Sequence, residues 1–465
     1  MKTLSILVIT LLTSFISIAQ DITGQWHGVL KVQGTQLRLI INISKTDNGF
    51  TSTMDSPDQR AKGIPVTTTT FDNPNIKFEV ANIGIEYKGA LEGNQIIGVF
   101  KQGGQEFPMN LSRKPIEKEV IKRPQTPTEP YSYHSEEVTF LNKKENILLS
   151  GTLTLPKKEG NYPVVILISG SGAQNRDNEV LGHKSFLVIA DHLTKNGIGV
   201  LRYDDRGVGK SKGNFKMATS ADFATDVESA VTYLKTRKEI HPKKIGLVGH
   251  SEGGFIAPIV ASKSKDVSYI VLLAGTGISG DKILLLQQDL IARASGVSDI
   301  IIKKSLETNS KMFEMINKSK DSLTLKTALT NLLMDSLKNN TSAEMPNGMT
   351  KDEFVNRQID QISSPWMQYF IKFDPAKTLV KIKCPVMAVN GEKDLQVPPK
   401  ENLSAIKNAL IKGGNKNITT KEYINLNHLF QECKTGSPDE YATIEQTFSP
   451  IVLNDITQWI IKQTN

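Results

Sequence analysis

The segment KIGLVGHSEGG, residues 244–254, decides the fold of the larger part of the chain. The apolar stretch Lys244–Val248 predicts a buried strand, and a helix is predicted to begin at Ser251. A sharp strand–turn–helix unit exposes the serine hydroxyl, which is the setting that the pattern G-x-S-x-G needs for a nucleophile. Gly249 and Gly253 suit this turn because a side chain at either position would strike neighbouring backbone. The helix N-terminus would direct its dipole and free N–H groups at the site.

Strands and helices alternate on both sides of this segment. The predicted strands are Val164–Ser169, Gly199–Tyr203, Tyr269–Ala274, Cys384–Asn390 and Ile418–Ile424. Continuous apolar strands that alternate with helices predict a doubly wound, mostly parallel sheet of the α/β class. A helix-rich stretch, residues 278–372, interrupts the alternation. Insertions of this kind in α/β folds tend to lie over the site as a lid.

Residues 20–112 have a different, all-β pattern, in which short alternating segments are separated by turn formers. The segments are Gly28–Val32, Leu37–Ile43, Ile76–Val80, Ile85–Leu91, Gln95–Lys101 and Glu106–Ser112. They predict a small antiparallel barrel or sandwich, and its opening GQWHG, residues 24–28, resembles the G-x-W-x-G opening of lipocalin-like domains. Residues 113–134 are rich in proline and predict a semi-rigid linker to a third region, residues 135–465.

The N-terminus predicts export. Lys2 precedes the apolar run Leu4–Leu12, and Ser17 and Ala19 are small residues at the −3 and −1 positions of a cleavage site. This is the pattern of a secretory signal peptide, residues 1–19. The alternative is a membrane anchor, but the run is short for a span of ~20 residues. We therefore expect a periplasmic or secreted protein without a stable membrane span after cleavage.

Composition narrows the class of protein further. With 465 residues, 38% hydrophobic and 22% charged, the chain has the material for a large core and is not a disordered protein. The net charge of +8 is spread over short lysine spots without a basic stripe, so we expect no nucleic-acid partner. Cys384 and Cys433 are predicted at opposite ends of the strands, which favours two free thiols and no metal site.

Three further motifs each follow a predicted strand: GEKDLQVP at residues 391–398, NLNHLF at 425–430 and SGSG at 169–172. Together with the serine turn, they resemble the α/β-hydrolase superfamily, in particular its serine esterase and serine aminopeptidase type with a helical lid. The resemblance covers residues 135–465. It implies the α/β-hydrolase fold and a catalytic triad of Ser251, Asp394 and His428, in the chain order that this fold uses.

The resemblance also assigns roles to individual residues. Asp394 would orient His428, which would activate Ser251; Glu392 is a rival for the acid. By match, the N–H groups of Ser171 and Glu252 would form the oxyanion hole, although the chain has Ser-Gly where the family often has His-Gly.

A loop between two predicted elements invites a different interpretation. YDDRGVGKS, residues 203–211, ends like a nucleotide-binding P-loop, but Asp204 stands where the P-loop needs glycine. The segment instead resembles the D-x-R-G-x-G-x-S loop of hydrolases. In that loop, Arg206 and the neighbouring aspartates would hold loops around the site.

Trp366 and Phe370 are spaced to share one helix face within the insertion. They are predicted either to bind substrate as the wall of an acyl pocket or to be ordinary core of the lid.

These residues predict an exported serine hydrolase that cleaves small-molecule carboxylic esters through an acyl-enzyme on Ser251, without a cofactor. The first alternative is a serine peptidase or aminopeptidase, in which Glu252 would help to hold a substrate amine. The second is an exported binding protein with an inert hydrolase fold. The substrate and the oligomeric state stay open.

Overall fold

The computed structural model describes residues 21–32, 35–59, 61–102, 105–117, 122–319, 321–338 and 350–465. The predicted signal peptide, residues 1–19, lies outside the described residues. The described chain divides into two compact units, of which the first contains residues 21–117 and the second contains the described residues from 122 to 465.

The first unit is one antiparallel sheet. Its strands are β1 (Gly24–Val32), β2 (Thr35–Thr46), β3 (Gly49–Ser56), β4 (Ala61–Pro65), β5 (Thr68–Asp72), β6 (Asn75–Val80), β7 (Ile85–Glu92), β8 (Gln95–Gln102), β9 (Gln105–Pro108) and β10 (Leu111–Ser112). The ten strands run in the order β4-β3-β2-β1-β10-β8-β7-β6-β5, with β9 on β8. Because β4 and β5 are edges, the sheet is an open half-barrel rather than a closed barrel or a sandwich of two sheets.

The motif at the start of the half-barrel closes its core. Trp26 is buried, and its indole N–H donates to the carbonyl of Ile22 at 2.8 Å. The guanidinium of Arg113 lies 3.9 Å from the centre of the Trp26 ring and donates to the carbonyl of Thr23 at 2.5 Å. Arg113 also donates to the carbonyl of Asp21 at 2.7 Å. The two ends of this unit's chain are therefore joined by one cation–π contact and two hydrogen bonds.

The second unit contains a sheet of the α/β class. Its strands are β11 (His134–Asn142), β12 (Ile147–Leu155), β13 (Tyr162–Ile168), β14 (Glu179–Val180), β15 (His183–Lys184), β16 (Gly199–Tyr203), β17 (Ile240–His250), β18 (Tyr269–Leu273), β19 (Val386–Gly391) and β20 (Ile418–Tyr423). Eight of them form one sheet in the order β11-β12-β16-β13-β17-β18-β19-β20, and β14 and β15 pair separately. Within the eight-stranded sheet, the pairs β11–β12 and β12–β16 are antiparallel and the other pairs are parallel.

Helices cover both faces of this sheet. In chain order the α-helices of the unit, including those of the insertion, are α1 (Ser185–Lys195), α2 (Ser220–Leu234), α3 (Gly253–Ala261), α4 (Gly280–Ala294), α5 (Asp299–Lys318), α6 (Ser322–Lys338), α7 (Lys351–Ile362), α8 (Pro365–Lys372), α9 (Ala376–Leu379), α10 (Pro399–Lys412) and α11 (Pro450–Thr464). Alternate residues of β13 belong to different cores: Val164 and Ile166 pack with α2 and α3, whereas Val165 and Leu167 pack with α1 and α11. A strand buried on both faces needs the continuous apolar sequence that predicted it.

Helices α4 to α8 form the insertion between β18 and β19. The insertion has an apolar core of its own, which includes Ile316, Leu329 and Ile359. Because this core is separate from those of the sheet, the insertion adds a helical layer without interrupting the sheet.

The second half of the predicted linker packs on the α/β unit. Arg123 donates to the carbonyls of Ala442 and Ile444 at 2.9 and 2.6 Å. The side-chain oxygen of Gln125 accepts from the backbone N–H groups of Thr447 and Phe448. These contacts hold the chain against the loop before α11.

Other features of the described residues bear on the class of protein. Cys384 and Cys433 are free thiols. None of the helices in the described ranges is long and apolar enough to cross a membrane. The same ranges contain no group of three His, Cys, Asp or Glu residues placed to hold a metal ion.

Candidate active site

Ser251 lies on the sharp turn between β17 and α3. Its backbone has φ 54°, the left-handed region that non-glycine residues seldom adopt. A Cβ atom at Gly249 would lie 2.0 Å from the carbonyl oxygen of Gly253, and one at Gly253 would lie 2.2 Å from that of Ile168. The prediction that these two glycines make room for the turn is confirmed.

Asp394 and His428 meet on loops that follow β19 and β20. The distance from Nδ1 of His428 to Oδ2 of Asp394 is 2.8 Å, and both side chains are buried. The other carboxylate oxygen of Asp394 accepts from the backbone N–H groups of Gln396 and Val397, each at 2.8 Å. Because the carboxylate accepts, Nδ1 of His428 carries the proton and Nε2 is left as a base.

Glu392, the rival acid, lies elsewhere. Its side chain is exposed, and its Oε2 accepts from the backbone N–H of Asn425 at 2.9 Å. The structure therefore pairs His428 with Asp394, and Glu392 supports the start of the histidine loop.

Two buried side chains that sequence reasoning missed hold the loop of His428. The Oδ1 atom of Asn427 accepts from the N–H groups of Leu429 and Gln431, each at 3.0 Å. The Nε2 atom of His250 donates to the carbonyl of His428 at 3.0 Å. Burial, assisted by the nearby His428, lowers the pKa of His250 to about 3. A neutral His250 thus joins the serine turn to the histidine loop.

The loop after β13 passes against the serine. A Cβ at Gly170 would lie 3.1 Å from Cβ of Ser251. In the part of the chain that the structure describes, the N–H groups of Ser171 and Glu252 donate to no protein acceptor. Both residues line the same cavity as Ser251, so both N–H groups are available to a ligand there.

Asp205 holds this loop in place. Its two carboxylate oxygens accept from the hydroxyl of Ser169 at 2.7 Å and from the backbone N–H of Gln174 at 2.9 Å. Burial raises the pKa of Asp205 to about 7; the charges of Glu252 and Asp226 add to the rise, and the two hydrogen bonds oppose it. The carboxyl group of Asp205 therefore binds both ends of the loop from Ser169 to Gln174.

The rest of the D-x-R-G segment forms buried ion pairs with residues outside the motif. Nε and Nη2 of Arg206 lie 2.8 and 2.9 Å from the two carboxylate oxygens of Asp226. Asp204 is paired in the same two-pronged way with Arg176. Bidentate pairs fix orientation as well as distance, so these side chains secure the loops behind the site.

The serine, the histidine and the insertion share one cavity of about 500 Å³. Ser251, His428, Trp366 and Phe370 all line it. Among the described residues no hydrogen bond joins the hydroxyl of Ser251 to the ring of His428. Of the residues lining the cavity, Glu252 is the one acidic residue, and none is Lys or Arg. The wall is therefore largely uncharged.

Trp366 and Phe370 line the cavity and also pack against neighbouring rings. Their rings stack with centres 5.3 Å apart, and Phe370 contacts Phe255 of α3 at 5.5 Å. The indole N–H of Trp366 donates to Oε1 of Glu252 at 2.9 Å. A part of the insertion is thus anchored beside the serine.

The side chain of Glu252 points away from solvent and is 2% exposed. Its Oε1 also accepts from the hydroxyl of Ser220 at 2.5 Å. Burial raises the pKa of Glu252, and hydrogen bonds from Ser220, Trp366 and Ser171 offset part of the rise. Side chains of the protein itself therefore already hydrogen-bond to this carboxyl group.

The sheet order, with a serine elbow after β17 and a His–Asp pair after β19 and β20, is that of an α/β-hydrolase. The chain belongs to the serine aminopeptidase S33 family of this fold, whose family model matches residues 183–432. It is accordingly a hydrolase.

Known relatives include an esterase. Esterase EstD of Thermotoga maritima is 25% identical over 338 residues, which are 72% of this chain and 69% of that protein. An uncharacterized 31.7 kDa protein of Escherichia coli is 25% identical over 316 residues, 67% of this chain and 95% of its own length. Among solved structures, the esterase Pf2001 of Pyrococcus furiosus is 15% identical, covers 75% of this chain and 100% of its own, and has a TM-score of 0.44.

Proposed function

We propose that this protein is an exported carboxylesterase that cleaves neutral small-molecule esters through an acyl-enzyme on Ser251. The observation that carries the proposal is the largely uncharged cavity that Ser251, on its strained turn, shares with His428 of the His428–Asp394 pair. Export follows from the predicted signal peptide.

In the proposed mechanism, Nε2 of His428 takes the hydroxyl proton of Ser251 as Oγ attacks the ester carbonyl. Substrate binding would bring the two side chains into hydrogen-bond contact, because such contacts are often long before the substrate binds. Asp394 stabilises the imidazolium, which then protonates the leaving alcohol. In the second half, His428 takes a proton from water, and the resulting attack on the acyl-enzyme releases the acid.

The N–H groups of Ser171 and Glu252 would hold the negative oxygen of each tetrahedral intermediate. Their lack of protein acceptors supports this role, as does the position of Glu252 at the N-terminus of α3. Removing one such donor typically costs ~2.7–4 kcal/mol of transition-state stabilisation.

The surroundings of Glu252 favour an ester over a peptide with a free amine. An aminopeptidase needs an accessible acidic group for the substrate ammonium. Glu252 is the acidic residue at the cavity, but it is 2% exposed and its Oε1 already binds Ser220 and Trp366. A charged amine would therefore lose its water without gaining a partner.

We further propose that the insertion acts as a lid over the acyl part of the substrate. Ile283 and Leu284 of α4 and Trp366 and Phe370 of α8 supply apolar surface to the cavity beside Ser251. Such a wall suits an aliphatic or aromatic acyl group.

The test is hydrolysis by residues 20–465 of nitrophenyl esters of increasing acyl length, beside aminoacyl nitroanilides. We expect ester turnover, and a loss of about 10⁴-fold or more in Ser251→Ala. Ser262→Ala, at the far end of α3, is the matched control and should keep full activity. Turnover of anilides alone would indicate a peptidase. If neither is turned over and Ser251→Ala still binds its natural ligand normally, the protein is a binding protein.

A further inference from the structure

Besides the loop of Ser171, the carboxyl of Glu252 joins three parts of the unit. The residue itself follows Ser251 on the elbow, Ser220 opens α2, and Trp366 belongs to α8 of the insertion. Both Ser220 and Trp366 donate to the same oxygen, Oε1, at 2.5 and 2.9 Å. A buried acceptor with two donors is costly to disturb, because any donor released from it is left unpaired.

Helix α8 is seated so closely that it has little freedom of its own. A Cβ at Gly280, the first residue of α4, would lie 1.7 Å from the carbonyl oxygen of Phe370. On the other side, the rings of Phe370 and Phe373 contact Phe255, three residues after Glu252, at 5.5 and 4.7 Å. These ring contacts thus join α8 and its C-terminal end to the first turn of α3.

The backbone of the same glutamate has a separate role in the proposed reaction. Its N–H is one of the two groups that would bind the oxyanion. A donor in an oxyanion hole is effective only when it is correctly placed, and a displacement of 1 Å can cost about 10²-fold in rate. Whatever holds the side chain of Glu252 therefore affects the direction of its N–H.

We propose that Glu252 is a positioning residue through which helix α8 sets the geometry of the oxyanion hole. The inference rests on the proposed function, because it assigns the lid an effect on the chemical step as well as on the fit of the acyl group. The hydrogen bond from Trp366 is the link, and Ser220 fixes the carboxyl from the other side.

The decisive variant is Trp366→Phe, which keeps an aromatic ring against Phe370 and in the cavity wall but removes the indole N–H. Trp459→Phe is the matched control, since the indole of Trp459 donates to Oγ1 of Thr419 at 3.1 Å on another part of the unit. The readouts are kcat and KM on esters of several acyl lengths. A third readout is the rate at which an alkyl fluorophosphonate labels Ser251, when Oγ bonds to phosphorus and fluoride leaves.

We expect Trp366→Phe to lower kcat and the labelling rate by about tenfold, by the same factor for every acyl group and with KM unchanged. Trp459→Phe should change none of them. Glu252→Gln retains an acceptor for Trp366 and should lose less than Glu252→Leu. Adding Trp366→Phe to Glu252→Leu should cause no further loss, because both remove one contact.

Several results would overturn the inference. A Trp366→Phe variant with normal kcat and a KM that changes with acyl length would make the tryptophan only a wall of the cavity. Normal labelling of the folded variant with a lowered Tm would make the contact only structural, and additive losses in the double variant would separate the two residues. If the wild type is labelled but cleaves no ester, the proposed substrate is wrong. The labelling rates of the variants then still test whether Glu252 positions the oxyanion hole. If it is not labelled, both proposals fail.

Discussion

The cavity at Ser251 has two walls that are held by different kinds of contact. The elbow wall consists of the loops after β13, β17, β19 and β20. At the elbow itself Gly249 and Gly253 allow main chain to touch main chain, and buried side chains such as Asp205 and Asn427 hold the neighbouring loops. The insertion wall consists of α4 and α8. It meets the elbow through side chains, Trp366 on Glu252 and Phe370 on Phe255.

This difference indicates which properties each wall controls. Contacts between backbones leave no room for a changed side chain, so the elbow wall fixes the reacting groups for every substrate. Contacts between side chains tolerate exchange of similar volume, so the insertion wall can set which substrate fits. Glu252 is the residue at which the two walls are joined.

The largest effect is expected from Asp394 on the elbow wall. Asp394→Asn should lower kcat by about 10⁴-fold, because the amide no longer holds His428 in the tautomer that accepts the serine proton. Glu392→Gln removes the neighbouring carboxylate and is the control, with kcat unchanged. Steady-state kinetics on one ester measures both variants. A loss of kcat confined to Glu392→Gln would show that Glu392, and not Asp394, is the acid of the triad.

A pair of glycines compares the two walls directly. Gly253→Ala and Gly280→Ala each force a Cβ onto a backbone oxygen, at 2.2 and 1.7 Å, and each should lower the free energy of unfolding by about 1–3 kcal/mol. Gly253→Ala should lower kcat for every ester. Gly280→Ala should change KM in a manner that depends on acyl length. Urea unfolding and an ester series test this, and identical kinetic effects would remove the distinction between the walls.

A smaller effect is expected from Leu284, which lines both the catalytic cavity and a second cavity of about 1060 Å³ within the insertion. Leu284→Ala should open a passage between them, so kcat/KM for long acyl chains should rise relative to short ones. Leu285→Ala, next to it but facing a different groove, should leave this ratio unchanged. A parallel shift in both variants would contradict the assignment.

The smallest effect concerns pH. Because burial raises the pKa of Asp205 from 3.8 to about 7, its proton stabilises the fold below about pH 4, and this contribution is lost as pH rises through about 7. Asp205→Asn takes no part in this titration, so its Tm should fall less than that of the wild type over this range. Glu252 and Asp226, whose pKa values are also raised by burial, still contribute to the fall of Tm with pH in this variant. Thermal unfolding at each pH measures Tm for both proteins. If the slope of Tm against pH is the same in Asp205→Asn as in the wild type, Asp205 ionises with an ordinary pKa.

Much of the α/β unit could be predicted because its signals are local. The strands are continuous apolar runs, and Ser251, Asp394 and His428 each stand in a motif directly after one of them. The half-barrel was harder: β3, β4 and β5 were missed, since β3 and β5 are rich in Ser and Thr and the short β4 has no alternating apolar residues. The β-branched threonines were a signal that could have found them.

The side-chain contacts of the site could not be predicted, because their partners are distant in sequence. Trp366 lies 114 residues from Glu252, and His250 is 178 residues from the carbonyl it binds. The sequence placed Glu252 at the site by its backbone but gave no sign that its carboxyl would be bound by the insertion. Likewise, Asp205 was expected to hold loops, but its two acceptors and their partners appear only when the loops are folded together.

The low pKa of His250 has a consequence for enzyme kinetics. Its ring centre lies 4.8 Å from that of His428, a distance at which two imidazoles ordinarily titrate as a coupled pair, with pKa values that belong to neither residue alone. Because the pKa of His250 is lowered to about 3, its ring stays uncharged throughout the neutral pH range. An ionisation seen near neutral pH in a pH–rate profile is therefore not that of His250, and this exclusion needs no label on its ring.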